Sequence, residues 1–92
     1  MLTVEWLEPA FEDLEKIVDY IANHNPSAAY DLEHHIIQLA ESLADHPYKG
    51  ISGRVAGTRE YLVHPNYWLI YEVTDRIRIK GILHTRKKKK KK

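Results

Sequence analysis

The sequence predicts an α+β fold of order β-α-α-β-β-β, a helical hairpin packed on a mostly antiparallel four-stranded sheet. Three observations predict it. Two amphipathic stretches in the first half are separated only by Asn23-His24-Asn25, too short a join for anything but antiparallel neighbours. The second half carries three runs rich in aromatic and β-branched residues, which favour a pleated, half-buried surface. Those runs are linked by His64-Pro65-Asn66 and Thr74-Asp75, short connectors made of turn residues, so antiparallel pairing is the economical arrangement.

In chain order, Leu2 to Trp6 alternates aliphatic residues with Thr3 and Glu5 and reads as a short strand at the edge of the later sheet. Glu8-Pro9 opens a helix, since proline is tolerated in the first turn. Phe11, Leu14, Ile17, Val18 and Ile21 form its apolar stripe, and Glu12, Asp13, Glu15, Lys16 and Asp19 lie outside it on a solvated face. Asn25-Pro26 then pairs an N-cap with a proline at the first helical position. The second helix buries Ala29, Leu32, Ile36, Leu39 and Leu43 and ends near Asp45-His46-Pro47. Both stripes are core. Tyr48 to Gly57 is a glycine-rich, cationic loop, but it lacks the Gly-Lys-Ser/Thr ending and the following helix of a nucleotide-binding loop.

Strands are expected over Arg59–Val63, Trp68–Val73 and Arg76–His84. Simple alternation places Ile77, Ile79 and Leu83 on one face of the last strand and Arg78, Lys80 and His84 on the other. By the same rule Trp68 shares the face of His84, while Tyr67 and Tyr71 belong to the core.

A chain of 92 residues supports one domain, expected over residues 1–86. Residues 87–92 are six consecutive lysines, expected to be a solvated, disordered tail. Cysteine is absent, no apolar run approaches a membrane span, and the N-terminus lacks a signal-peptide pattern, so a cytoplasmic protein is expected. The net charge of +1 conceals an asymmetry. Without the lysine tail, eight cations face thirteen carboxylates, a balance of −5. Residues 1–48 carry Lys16 against ten carboxylates, whereas residues 49–86 carry seven cations against Glu60, Glu72 and Asp75. A basic second half suits a polyanionic partner. No metal site or cofactor is expected: His34 and His35 are adjacent on a helix and point apart, and no thiolate is available.

The second half also holds the residue types that RNA cleavage by a 2′-hydroxyl requires. Histidine supplies an acid or base near neutrality, arginine stabilises developing phosphorane charge, and aromatics stack on unpaired bases. Arg54, Arg59, His64, Tyr67, Trp68, His84 and Arg86 are present, with His46 at the end of the second helix.

Spread over the chain are Val4-Glu5-Trp6, Asp13-Leu14 with Ile17, Tyr20-Ile21-Ala22, Asn25-Pro26 with Ala28-Ala29, Gly53-Arg54-Val55, Gly57-Thr58-Arg59-Glu60, Tyr67 with Ile70-Tyr71, and Leu83-His84 with Arg86. In this order and spacing they resemble the RelE/ParE superfamily of small toxins from type II toxin–antitoxin pairs, over essentially the whole chain to Arg86. The resemblance implies growth inhibition, a role in plasmid stabilisation, a cognate antitoxin as partner, and contact with operator DNA only through that antitoxin. Its branches imply different targets. RelE-like ribonucleases usually carry an arginine where this chain has Trp68. YafQ-like ribonucleases place a tryptophan there, with a histidine in a His-Pro pair similar to His46-Pro47 and another ending the last strand, similar to His84. Their aspartate before the tryptophan is Tyr67 here, and their strand histidine aligns with Val63, one residue from His64. ParE-like toxins share the fold without a nuclease constellation and poison DNA gyrase by binding it.

The favoured expectation is metal-independent mRNA cleavage on the ribosome. It casts His84, His46, Arg59 and Arg86 as catalytic and Trp68, Arg54, Arg78, Lys80 and Tyr61 as substrate-binding. The alternatives are a non-enzymatic gyrase inhibitor and an inactive toxin that acts as co-repressor with its antitoxin.

Overall fold

A computed structural model describes residues 2–86; the lysine tail lies outside the described residues. Seven elements follow in order: β1 (Val4–Trp6), α1 (Glu8–Ala22), α2 (Pro26–Ser42), β2 (Ile51–Ser52), β3 (Arg59–His64), β4 (Tyr67–Val73) and β5 (Ile77–His84). They build one sheet of order β1-β5-β4-β3-β2, with the helical hairpin across one face. β1 runs parallel to β5, and all other pairs are antiparallel.

The expected class and element order are met, with one strand added. The glycine-rich loop was expected to be irregular, yet Ile51 and Ser52 pair with Glu60 and Arg59. A tight return makes this possible: Gly53 N–H donates to Thr58 O at 2.8 Å, and Gly57 sits at φ +86°, a conformation side chains disfavour.

Helix starts follow the local chemistry. Asn25 Oδ1 accepts the Ala28 N–H at 3.1 Å, with Pro26 opening the helix behind it. In α1 the expected stripe holds at Leu14, Ile17, Val18 and Ile21, and only its first residue differs. Ala10 and Leu14 are buried, whereas Phe11 is 52% exposed. A small residue on the inward line lets the helix lie close to the sheet, and the large ring turns out.

The core joins Leu14, Leu32, Ile36, Ala40 and Leu43 of the hairpin region to Val63, Leu69, Tyr71, Ile77 and Ile79 of the sheet. Burying such side chains contributes about 1.5–3 kcal/mol each. Cross-strand partners share a face, so Tyr67, Leu69, Tyr71 and Val73 line the helix-covered side of β4. Two irregularities then decide which side chains meet. Between β4 and β5 the register passes from Ile70↔Gly81 to Tyr71↔Ile79, leaving Lys80 as an extra residue. Between β3 and β4 it passes from Leu62↔Trp68 to His64↔Tyr67, leaving Val63 extra.

The first bulge corrects the expected faces of β5. Past Lys80 the alternation reverses, so Ile82 and His84 join Ile77 and Ile79 on the helix side, and Leu83 turns to the uncovered side. Trp68, paired with Leu83, therefore lies on the face opposite His84.

Candidate functional site

Beside the second half of α1, rings line up across the helix-covered face. Tyr67 stands between His64 and His84, with centroid separations of 5.4 and 5.3 Å. The register places them there, since Tyr67 pairs with both. Asp13, Lys16 and Tyr20 of α1 close the other side of a cavity of about 460 Å³.

The two histidines are held alike. His64 Nδ1 accepts the Asn66 N–H, and His84 Nδ1 accepts the Arg86 N–H, each at 3.0 Å. The Nδ1 lone pairs are thus engaged by backbone, leaving Nε2–H as the outward group in the neutral rings. Burial, followed by the neighbouring His35, holds His64 below the usual histidine range. Burial, followed by Tyr20, raises the Tyr67 phenol, which stays protonated at neutral pH.

Asp13 is the residue that sequence reasoning missed. Expected on a solvated helix face, it is half-buried, and its Oδ2 accepts the Ile82 N–H at 3.0 Å. Strand β1 pairs with β5 only as far as Ile79, so this N–H has no strand neighbour, and the carboxylate takes its place. Nothing in the helical period marks such a contact.

The remaining expected site residues fall elsewhere. Arg59 pairs with Tyr71, four residues along β4 from Tyr67, so it lies ~13 Å from the His84 row at about 3.3 Å per residue. Its Nη2 donates to Gly50 O at 2.6 Å and Tyr48 O at 3.4 Å, and its guanidinium stacks over the Tyr48 ring. Tyr71 fixes the same segment from within: its hydroxyl donates to Pro47 O at 2.7 Å and accepts the Gly50 N–H at 3.0 Å. His46 is exposed on that segment beside Asp45, Tyr48 and Lys49. Tyr61 lies under the Lys49 ammonium, 5.3 Å away.

Arg78 and Lys80 belong to the uncovered face, within an ion-pair lattice. Arg78 Nη1 meets Glu72 Oε2 at 2.8 Å and its Nε meets Glu5 at 3.8 Å, while Lys80 reaches Glu72 at 3.8 Å. Arg54 is exposed, and its backbone N–H donates to Glu60 Oε2 at 3.1 Å. Arg86 is exposed beyond β5. Trp68 forms the middle of an apolar row, Leu62–Trp68–Leu83, that no helix covers. The structure thus brings His84 to Tyr67 and His64, and does not bring it to His46, Arg59 or Trp68. Among the described residues, no group of three His, Asp or Glu is placed to hold a metal ion.

Residues 4–89 match the family described as the ParE toxin of the type II toxin–antitoxin system parDE. The chain belongs to that ParE toxin family. A curated relative, Toxin RelE2 of Caulobacter vibrioides, is 36% identical over 84 residues, covering 91% of this chain and 89% of the relative. The putative toxin Y4kP of Sinorhizobium fredii is 28% identical, with 88% and 85% covered. Among solved structures, the chromosomal ParDE system from P. aeruginosa aligns at a TM-score of 0.81 and 22% identity, over 91% of this chain and 96% of that one. A conserved protein of Helicobacter pylori aligns at 0.58 and 19%, over 91% and 94%. These two likenesses establish the fold. This ParE-family chain is therefore the toxin of a type II toxin–antitoxin system, and membership implies a cognate antitoxin.

Proposed function

We propose that this ParE-family toxin arrests growth by binding a macromolecular target, not by cutting RNA. DNA gyrase is the target the ParE resemblance implies. One observation carries the reading: of the residues cast as a nuclease site, only Arg86 lies beside His84, and His46, Arg59 and Trp68 are dispersed. His84 stands at one end of the helix-covered face with Nδ1 engaged by the Arg86 N–H. Arg59, ~13 Å along the sheet, is tied to loop carbonyls. His46 is on an exposed loop beyond α2, and Trp68 is on the other face. A general base, an acid and a phosphate-stabilising cation have to converge within hydrogen-bond reach of one phosphodiester. The experiment is induction of the toxin, with bulk translation, transcript integrity and DNA supercoiling followed over the first minutes. Gyrase-dependent loss of supercoiling or DNA breakage with intact transcripts is expected, and early translation arrest with cut transcripts overturns the proposal.

Ribosome-dependent mRNA cleavage is the second reading. The specific observation in its favour is that Tyr67 and His84 share one cavity with Asp13, Lys16 and Tyr20, with His64 against the other side of the Tyr67 ring. Either target places the toxin in the cytoplasm.

For the antitoxin, the uncovered sheet face is the proposed dock. The row Leu62–Trp68–Leu83 shares this face with the lattice of Glu5, Glu72, Arg76, Arg78 and Lys80, which lies ~13 Å farther along β4, beyond the Ile70–Gly81 pair. A partly exposed apolar row with charges farther along the same face suits a partner segment that orders as it binds, with aliphatic side chains on the row and acidic ones toward the cations.

A further inference from the structure

At the end of the sheet farthest from His84, Ser52 and Arg59 are direct cross-strand partners, so hydroxyl and guanidinium leave the same face. With Tyr48, Thr58, Gly57 and Val73 they line a cavity of about 220 Å³. Of the four cavities described, Asp13 lines two and Asp45 a third, whereas this one has no carboxylate in its wall.

The cation in that wall is rigid and incompletely satisfied. Both hydrogen bonds of Arg59 leave from Nη2, to Gly50 O and Tyr48 O, and the guanidinium carbon sits 5.2 Å over the Tyr48 ring. Its Nε has no acceptor among the described residues but is sealed from solvent, so the donor left for a ligand is Nη1, which makes no hydrogen bond and is not sealed off. Thr58 Oγ1 donates to Val55 O at 2.7 Å, which orients its lone pairs away from that bond. Ser52, exposed on a two-residue strand, keeps a hydroxyl hydrogen to give. A fixed guanidinium, a neighbouring hydroxyl and no competing carboxylate make a donor set for a compact oxyanion.

We propose that this cavity is a phosphate site, taking free phosphate or the terminal phosphate of a monoester, with Arg59 and Ser52 as its donors. The space admits a tetrahedral oxyanion with a few waters, and any nucleoside attached to it would remain outside. The site lies apart from the His84 row and from the uncovered face, so it stands whichever way the toxin acts.

The test is a ¹H–¹⁵N NMR titration of the full chain with sodium phosphate, AMP and sodium acetate at matched ionic strength. Saturable shifts in the amides of Gly50, Ser52, Gly57, Thr58 and Arg59 are expected with phosphate or AMP. Tighter binding of AMP identifies a monoester as the ligand, and tighter binding of phosphate identifies the free ion. Ser52→Asp sets a carboxylate against the anion at an exposed position and should weaken binding by about tenfold or more. Ser52→Ala, which removes only the donor, should weaken it less and serves where the aspartate disturbs the spectrum elsewhere. Shifts confined to residues 87–92, equal binding of acetate, no saturation, or indifference to both Ser52 variants overturns the proposal.

Discussion

The Asp13 carboxylate and the Ile82 backbone N–H are joined at 3.0 Å across helix and sheet, and this bond closes the part of β5 that β1 leaves without a neighbour. A carboxylate accepting a partly buried N–H is worth more than a neutral pair, and its removal leaves the donor unsatisfied. Asp13→Ala should therefore cost ~1–3 kcal/mol in urea denaturation. Asp13→Asn keeps an acceptor oxygen and should cost less. Equal stability of Asp13→Ala and the parent would show that solvent replaces the carboxylate.

That contact also marks where sequence reasoning ended. The helical hairpin, its Asn-Pro start and the antiparallel order of the last three strands were legible, because periodicity, capping and turn chemistry are local. The bulge at Lys80 was not. One extra residue in a strand reverses every side chain beyond it, and Arg-Ile-Arg-Ile-Lys-Gly-Ile-Leu-His carries no mark of where the reversal falls except the glycine. Gly81 lies at that point, where a Cβ would come within 3.3 Å of Asp13 Oδ2. The strand β2 was hidden for a similar reason: two paired residues inside a glycine-rich loop have no period to read. The site suffered most. Residue types suited to a chemistry can be read from sequence, but they do not converge unless the register brings them together.

A second stability prediction concerns Tyr71, whose hydroxyl bridges Pro47 O and the Gly50 N–H. Tyr71→Phe keeps the buried ring and removes both bonds, so a loss of ~1–3 kcal/mol is expected. The segment released carries Tyr48 and Lys49, and faster amide exchange at Gly50 should accompany the loss. An unchanged exchange rate there would mean that Arg59 alone holds the segment.

Acid should weaken the fold through His64. Its folded pKa is depressed, chiefly by burial and then by His35, below the ordinary value of about 6.5. The unfolded chain then binds the proton more readily, so the contribution is fully present above the unfolded pKa. It is lost as pH falls through the folded pKa. Melting temperature should fall as pH drops below about 6.5, and His64→Gln should flatten that part of the profile. A variant with the parental slope would assign the acid sensitivity to other groups.

The uncovered face gives a prediction that separates binding from folding. Leu62 is 46% exposed beside Trp68, so Leu62→Lys should leave the melting temperature nearly unchanged. Placed on the exposed end of the apolar row in the proposed antitoxin dock, the same change should weaken toxin–antitoxin affinity by about tenfold or more, read by calorimetry. Full affinity in a normally folded Leu62→Lys variant would move the dock off this face.

The sharpest division between the two mechanisms falls on His84. Its Nδ1 accepts the Arg86 N–H, and the Oδ1 of an asparagine can occupy nearly the same position. His84→Asn should therefore preserve the end of β5 while deleting Nε2, the only ring nitrogen left to trade a proton with a substrate. A binding toxin needs no proton transfer there, so the variant should remain toxic in proportion to its stability. A nuclease that relies on His84 should lose roughly a hundredfold or more in cleavage with its fold intact. His84→Gln is the complement, since its longer side chain reaches toward the Nε2 position and gives up the backbone bond. We expect His84→Asn to be toxic and His84→Gln to be limited by stability, measured as growth arrest beside melting temperature and transcript integrity. A folded but harmless His84→Asn, with transcripts no longer cut, would return the toxin to the ribonuclease reading.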